Sequence, residues 1–116
     1  MLFRSGEREA AAEFAALLGV IARRGVQYQG GPDSPDVVLE GVAIHIEAKR
    51  TETLSLWKAL AQAVRDAATG KIPIVWHKRN RTPSVVIVET ARLVELAREI
   101  VRVVGMESTG PSRDVA

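Results

Sequence analysis

The chain has 116 residues, 47% apolar and 26% charged, with a net charge of +2 and no cysteine. That length holds one domain and excludes two, and the apolar share excludes a disordered chain. The cysteine count excludes a disulfide framework, a thiolate zinc site and a cysteine nucleophile, and no apolar run approaches the roughly 20 residues of a membrane span.

Taken in order, residues 1–5 form a lead, and Ser5-Gly6-Glu7 starts a helix running to Arg24 and closed by Gly25. Its apolar stripe is Ala10, Ala11, Phe14, Leu17, Leu18 and Ile21. Extended back by three or four residues the stripe reaches Glu7, whereas Glu9 points away and Glu13 sits at the margin. An acid on a core-facing stripe needs a partner. Val26-Gln27-Tyr28-Gln29 reads as a short strand with Gln27 and Gln29 on one face, followed by a Gly30-Gly31-Pro32 loop.

Two strands follow, Asp36–Leu39 and Val42–Lys49, rich in Val and Ile and joined by a tight turn at Glu40-Gly41. A two-residue turn sets Val37 opposite Ile44 and Asp36 opposite His45. Alternation then gives one face to Val37, Leu39, Val42, Ile44 and Ile46, and the other to Asp36, Val38, Ala43, His45, Glu47 and Lys49. Asp36 and Glu47 become diagonal neighbours with Cβ atoms roughly 7–8 Å apart. Such a pair can share a hard divalent cation such as Mg²⁺ or Mn²⁺; without one the carboxylates repel, and one titrates high. Lys49 beside them suits phosphodiester hydrolysis, holding the attacking water or steadying the phosphate. The alternative is a solvated strand face with ordinary charge pairs. His45 on this face reads as a packed, satisfied histidine.

After Thr51–Thr53, a helix runs from Ser55 to Thr69 and ends at Gly70, with Leu56, Leu60, Ala63, Val64 and Ala67 inward. Trp57 reads as packing and Lys58 as a phosphate contact. Ile72–His77 is a core strand, Lys78–Pro83 a basic turn, and Ser84–Glu89 the returning strand. Thr90 caps a last helix, Ala91–Val104, closed by Gly105 and apolar over a broad side: Leu93, Val94, Ala97, Ile100, Val101 and Val104. Residues 1–105 form the single domain and 106–116 a flexible tail. The order of helices and strands is that of an α/β protein. Net charge does not announce nucleic acid, but basic residues gather at Arg23-Arg24, Lys49-Arg50 and Lys78–Arg81.

Pro35-Asp36, ten intervening residues and Glu47-Ala48-Lys49 resemble the PD-(D/E)XK nuclease signature, on the hairpin that signature requires. The span from Gly6 to Glu89 resembles the small resolvase-like endonucleases often encoded by phages, relatives of archaeal Holliday junction resolvases. The resemblance implies a restriction-endonuclease-like core, a mixed sheet flanked by helices. It implies Mg²⁺ held by Asp36, Glu47 and the Ala48 backbone carbonyl, with Mn²⁺ substituting, and a catalytic Lys49. The family completes its site with an acid on the first helix in a Glu-Arg context, which Glu7-Arg8 matches. Gly6 directly before Glu7 departs from the family's wider Gly-to-Glu spacing, so Glu9 and Glu13 stay as alternatives. Gln62, within Leu56–Ala63, resembles a family glutamine that faces the active site, and Gln27 and Gln29 fall where polar residues lie near the scissile strand. Arg24, Arg50, Lys58, Lys78, Arg79 and Arg81 complete the expected DNA contacts. The implied activity is a structure-selective DNA endonuclease acting on branched or duplex DNA. The implied protein is a homodimer in a bacterial or phage-infected cytoplasm, without membrane contact. Alternatives are a nickase or exonuclease of the same fold, or a binding subunit with weak catalysis. Base-specific cutting usually needs extra reading loops, for which the chain has no room.

Overall fold

The computed structural model describes residues 5–25 and 37–107, with side chains from 6 to 105 within them. Helix α1 (Ser5–Leu18) is followed by strands β1 (Ala22–Arg24), β2 (Val37–Leu39) and β3 (Ile44–Arg50). Helix α2 (Leu56–Asp66), strands β4 (Ile72–Lys78) and β5 (Val85–Ile87), a 3-10 turn (Thr90–Arg92) and helix α3 (Leu93–Glu107) complete the chain. The strands form one mixed sheet in the order β1-β2-β3-β4-β5, antiparallel except for the central pair β3–β4. A parallel pair needs a crossover, which α2 supplies, and a crossover helix covers a sheet face.

The sheet therefore has two apolar sides. Phe14 and Leu18 of α1 and Leu96 and Val103 of α3 pack with Val37, Leu39, Ile44, Ile46, Ile72, Ile74 and Trp76. On the other side Ala59, Leu60 and Ala63 of α2 pack on Val75, with Leu54 and Ile87 at the margin. An α/β architecture with helices packed on a sheet is what the element order predicts, and a mixed sheet is what the resemblance implies. Among the described residues, no helix is long and apolar enough to cross a membrane.

Several local expectations need correction. The first helix stops at Leu18, not Arg24: Gly19 takes a φ of +67° and its N–H bonds back to the Ala15 carbonyl at 2.9 Å. That left-handed glycine ends the helix, and Ala22–Arg24 becomes an edge strand on β2. The helical stripe thus fails at its end, leaving Leu17 and Ile21 exposed. The strand and loop expected at 26–32 lie outside the described residues.

The hairpin register also shifts: Val37 pairs with Ile46, not Ile44. The turn itself forms, with the Val42 N–H bonded to the Leu39 carbonyl at 3.2 Å. Ala43 is not in the β2 ladder; its N–H bonds to the Glu99 carboxylate of α3 and its carbonyl accepts from Ile72. A two-residue shift preserves which face each side chain takes. Helix α2 ends at Asp66, before Thr69, with Ala67 already extended. Trp57 is 78% exposed and does not pack. At the last helix, Thr90 opens the 3-10 turn and caps nothing, and Gly105 lies inside α3. The helix rests on Leu96 and Val103, while Leu93, Val94, Val101 and Val104 stay exposed.

Candidate active site

Period-two alternation along β3 turns Ile44, Ile46 and Ala48 towards α1 and sends His45, Glu47 and Lys49 to the opposite face, which α2 covers. Burial on both faces forces polar atoms here to find partners. Glu47 is 3% exposed. Gln62, from the middle of α2, donates from Nε2 to Glu47 Oε2 at 3.0 Å. The carbonyl Oε1 of the same amide accepts from Lys49 Nζ at 3.3 Å. His45, 2% exposed, places Nε2 3.3 Å from the other Glu47 oxygen. The Gln62 amide thus presents its donor end to the carboxylate and its acceptor end to the ammonium.

The first turn of α1 reaches this region. A Cβ on Gly6 would lie 2.7 Å from the Arg50 Cβ, so only glycine lets the helix start this close to the end of β3. Of the three first-helix acids, Glu7 is the buried one, at 9% exposure. Glu9 accepts from Arg50 Nε at 2.9 Å. Glu13 accepts from the Ser84 hydroxyl at 2.6 Å and the Trp76 indole N–H at 2.9 Å. Those two bonds, in that order, hold the Glu13 carboxyl below the usual carboxylate range. The stripe that points Glu7 inward is therefore observed, while Glu9 and Glu13 are more exposed.

The basic turn stands at the same end of the sheet. Lys49 is level with His77 and Arg50 with Lys78 across the parallel ladder. The His77 ring bonds the Thr51 carbonyl at 2.9 Å, and the Asn80 N–H bonds the Glu52 carboxylate at 2.6 Å. Lys78 turns back to its own loop, donating to the Thr82 carbonyl at 2.6 Å. Arg79 and Arg81 are exposed, as is Lys58 on α2. Arg24 ends β1. Glu47 and Lys49 thus lie within β3, bonded to Gln62 of α2, and Arg50, Lys78 and the basic turn follow at the carboxyl ends of the central parallel strands, where open α/β sheets commonly bind ligands.

Asp36, Gln27 and Gln29 lie outside the described residues. Asp36 is covalently next to Val37, whose ladder partner Ile46 is covalently next to Glu47. Ala48 turns its methyl to the core. Among the described residues, no group of three His, Asp or Glu side chains converges as a complete metal site. The described residues nevertheless fit a hard cation: a buried carboxylate is the right ligand type, and side chains from two elements, His45 and Gln62, flank its two oxygens. Sequence reading missed the His45–Glu47 contact, the Gly6–Arg50 approach and the Arg50–Glu9 pair. The alternation that puts His45 beside Glu47 was the available signal for the first. Comparison with protein-family models, curated proteins and solved structures finds no match to this chain.

Proposed function

We propose that this chain is a Mg²⁺-dependent DNA endonuclease with a PD-(D/E)XK core, structure-selective and resembling the Holliday junction resolvases. The observation that carries the reading is the Gln62 amide between Glu47 and Lys49. A carboxylate and an ammonium on one strand face tend to neutralise one another directly. The amide spacer holds both, oppositely charged and apart, between β3 and the α2 helix that covers it.

Glu47, Asp36, Glu7 and the Ala48 carbonyl are the groups that would hold the cation, with Mn²⁺ able to replace Mg²⁺. Bound there, a cation would supply a lowered pKa for a bound water and offset phosphate charge. Lys49 donates from Nζ to the phosphate oxygen on which charge builds, the kind of aimed donor that stabilises a transition state. Gln62 orients Lys49 and the Glu47 carboxylate together. Arg79, Arg81 and Lys58 offer exposed cations for the DNA backbone, with Arg24, Gln27 and Gln29 as further contacts. Arg50 and Lys78, bound to Glu9 and Thr82, contribute mainly through the geometry they hold. A homodimer in a bacterial or phage-infected cytoplasm completes the reading.

The test is purified protein with Mg²⁺ against duplex, flap and four-way-junction DNA, with Glu47→Gln as control. Symmetric junction cutting lost in the control supports the proposal. Binding of all three substrates without cleavage would identify a nucleic-acid-binding subunit instead, and cutting of one strand only a nickase.

A further inference from the structure

We propose that His45 is a positioning residue for the Glu47 carboxylate, fixing the orientation in which that carboxylate meets a divalent cation. The inference rests on the reading above only in taking Glu47 as a cation ligand.

His45 lies on a central strand between Ile44 and Ile46, 2% exposed, where an apolar side chain would satisfy the packing. An imidazole carried into that environment needs a polar partner, and Glu47 Oε1 stands 3.3 Å from its Nε2. An ionised carboxylate only accepts hydrogen bonds. With Glu47 ionised, His45 Nε2 must therefore carry the proton and donate. The Gln62 Nε2 takes the other oxygen at 3.0 Å. The two donors come from β3 and α2 and hold opposite ends of one carboxylate.

The terminal torsion of a glutamate is broad and roughly two-fold, so a single hydrogen bond leaves its plane able to swing. Two bonds to two oxygens define the plane, and each oxygen keeps a second lone pair for a cation. Outer partners of this kind orient metal ligands, and their loss typically weakens metal binding by about 10–100-fold. His45 would thereby act on cation affinity without touching cation or substrate.

The test uses the full chain without DNA. His45→Gln and His45→Met are near-isosteric, but only Gln retains an N–H donor. Calorimetric Mn²⁺ titration should show affinity about tenfold or more weaker for the Met variant than for the Gln variant, by the same outer-partner relation. The Met variant's metal-free melting temperature should match or exceed that of the Gln variant. Equal Mn²⁺ affinity in the two variants would overturn the proposal. Long-range ¹H–¹⁵N spectra of the wild-type imidazoles with Mg²⁺ should show the His45 proton on Nε2. A proton on Nδ1 alone would overturn the proposal even if the Met variant does not fold. Glu47→Gln separates this inference from the wider reading. If that variant keeps wild-type Mn²⁺ affinity, Glu47 is not a ligand and both fail. If it loses Mn²⁺ while the Gln and Met variants agree, only the role of His45 fails.

Discussion

Glu99 of α3 accepts the backbone N–H of Ala43 at 2.8 Å, and this bond ties the last helix to the loop between β2 and β3. Arg102 closes the clasp, donating to Glu99 Oε2 at 2.7 Å and to the Gly41 carbonyl at 2.6 Å. Leu96 and Val103 seat α3 on the core, and the polar clasp adds to that docking.

The clasp predicts an acid-sensitive fold. The Arg102 bond, first, and the Ala43 N–H hold the Glu99 carboxyl below its ordinary value, against the opposing effect of burial. A carboxyl depressed in the folded state stabilises the fold above its unfolded pKa, and that contribution is lost as pH falls through the folded value. Thermal melts should therefore hold steady near neutrality and fall as pH drops through and below the ordinary carboxylate range. Glu99→Gln should cost about 1.5–3 kcal/mol at pH 7, the scale of a charge-assisted hydrogen bond, and should flatten the acid limb. Glu13 contributes in the same direction, so the limb should flatten without vanishing. An acid limb unchanged in Glu99→Gln would remove the clasp from the explanation.

At the site, Lys49→Ala should slow cleavage by about 10²–10³-fold while Mn²⁺ still binds, because the lost group acts on developing charge. Asp36→Asn and Glu47→Gln should abolish cleavage and weaken Mn²⁺ binding. Gln62→Ala should fall between these and wild type, since it removes the spacer but no proposed ligand or phosphate donor. Single-turnover rates with calorimetric Mn²⁺ titration separate the groups; unchanged metal binding in both acid variants would refute the ligand assignment.

Glu7→Gln should reduce the single-turnover rate far more than Glu9→Gln. Glu7 is buried at the start of α1, whereas Glu9 pairs with Arg50 across a partly exposed surface. Such pairs contribute about 0–1 kcal/mol, so Glu9→Gln should melt within a few degrees of wild type. The reverse order of rates would place the first-helix role on Glu9.

The β3 face was legible from sequence because alternation has a period of two. Val37, Leu39, Ile44 and Ile46 stay on the core side although the pairing slid by two residues. The slide was not legible, and neither was the bond from the Ala43 N–H beside it to an acid 56 positions away, a contact no local pattern announces. Gly19 was misread because Leu17 and Ile21 continue the helical spacing past it, although a left-handed glycine ends the helix there. Gln62 was placed by resemblance rather than periodicity, and its contact with Glu47 spans two elements. Trp57 was misread because aromatic bulk usually means burial, but the residues α2 buries are the smaller Ala59, Leu60 and Ala63.

Arg79→Ala with Arg81→Ala should weaken DNA affinity and flatten its salt dependence. Each phosphate neutralised on duplex DNA adds a log–log slope of about −0.9, so the double variant should lose roughly one to two units. Lys78→Ala should change the slope less, because its ammonium is held by the Thr82 carbonyl inside the loop. A double-variant slope equal to wild type would show that the turn does not meet DNA.

The homodimer prediction rests on α3. Val94, Ala97, Val101 and Val104 follow the three-four spacing of a helix-pairing seam, and all four are exposed. The helix's other side already rests on the sheet through Leu96 and Val103. Its apolar surface is therefore wider than one-sided packing uses, and exposed apolar patches of this kind mark interaction sites. A two-fold dimer repeats one patch against itself, and it also supplies the second active site that two symmetric cuts require. Val101→Glu places a charge in the middle of the seam without touching a residue buried in the monomer. It should yield a folded monomer with wild-type melting at low concentration, able to nick a junction but not to cut it symmetrically. Sedimentation equilibrium at micromolar concentration decides the point. A monomeric wild type, unchanged by junction DNA, would remove the dimer and, with it, the reason for preferring a resolvase over a nickase.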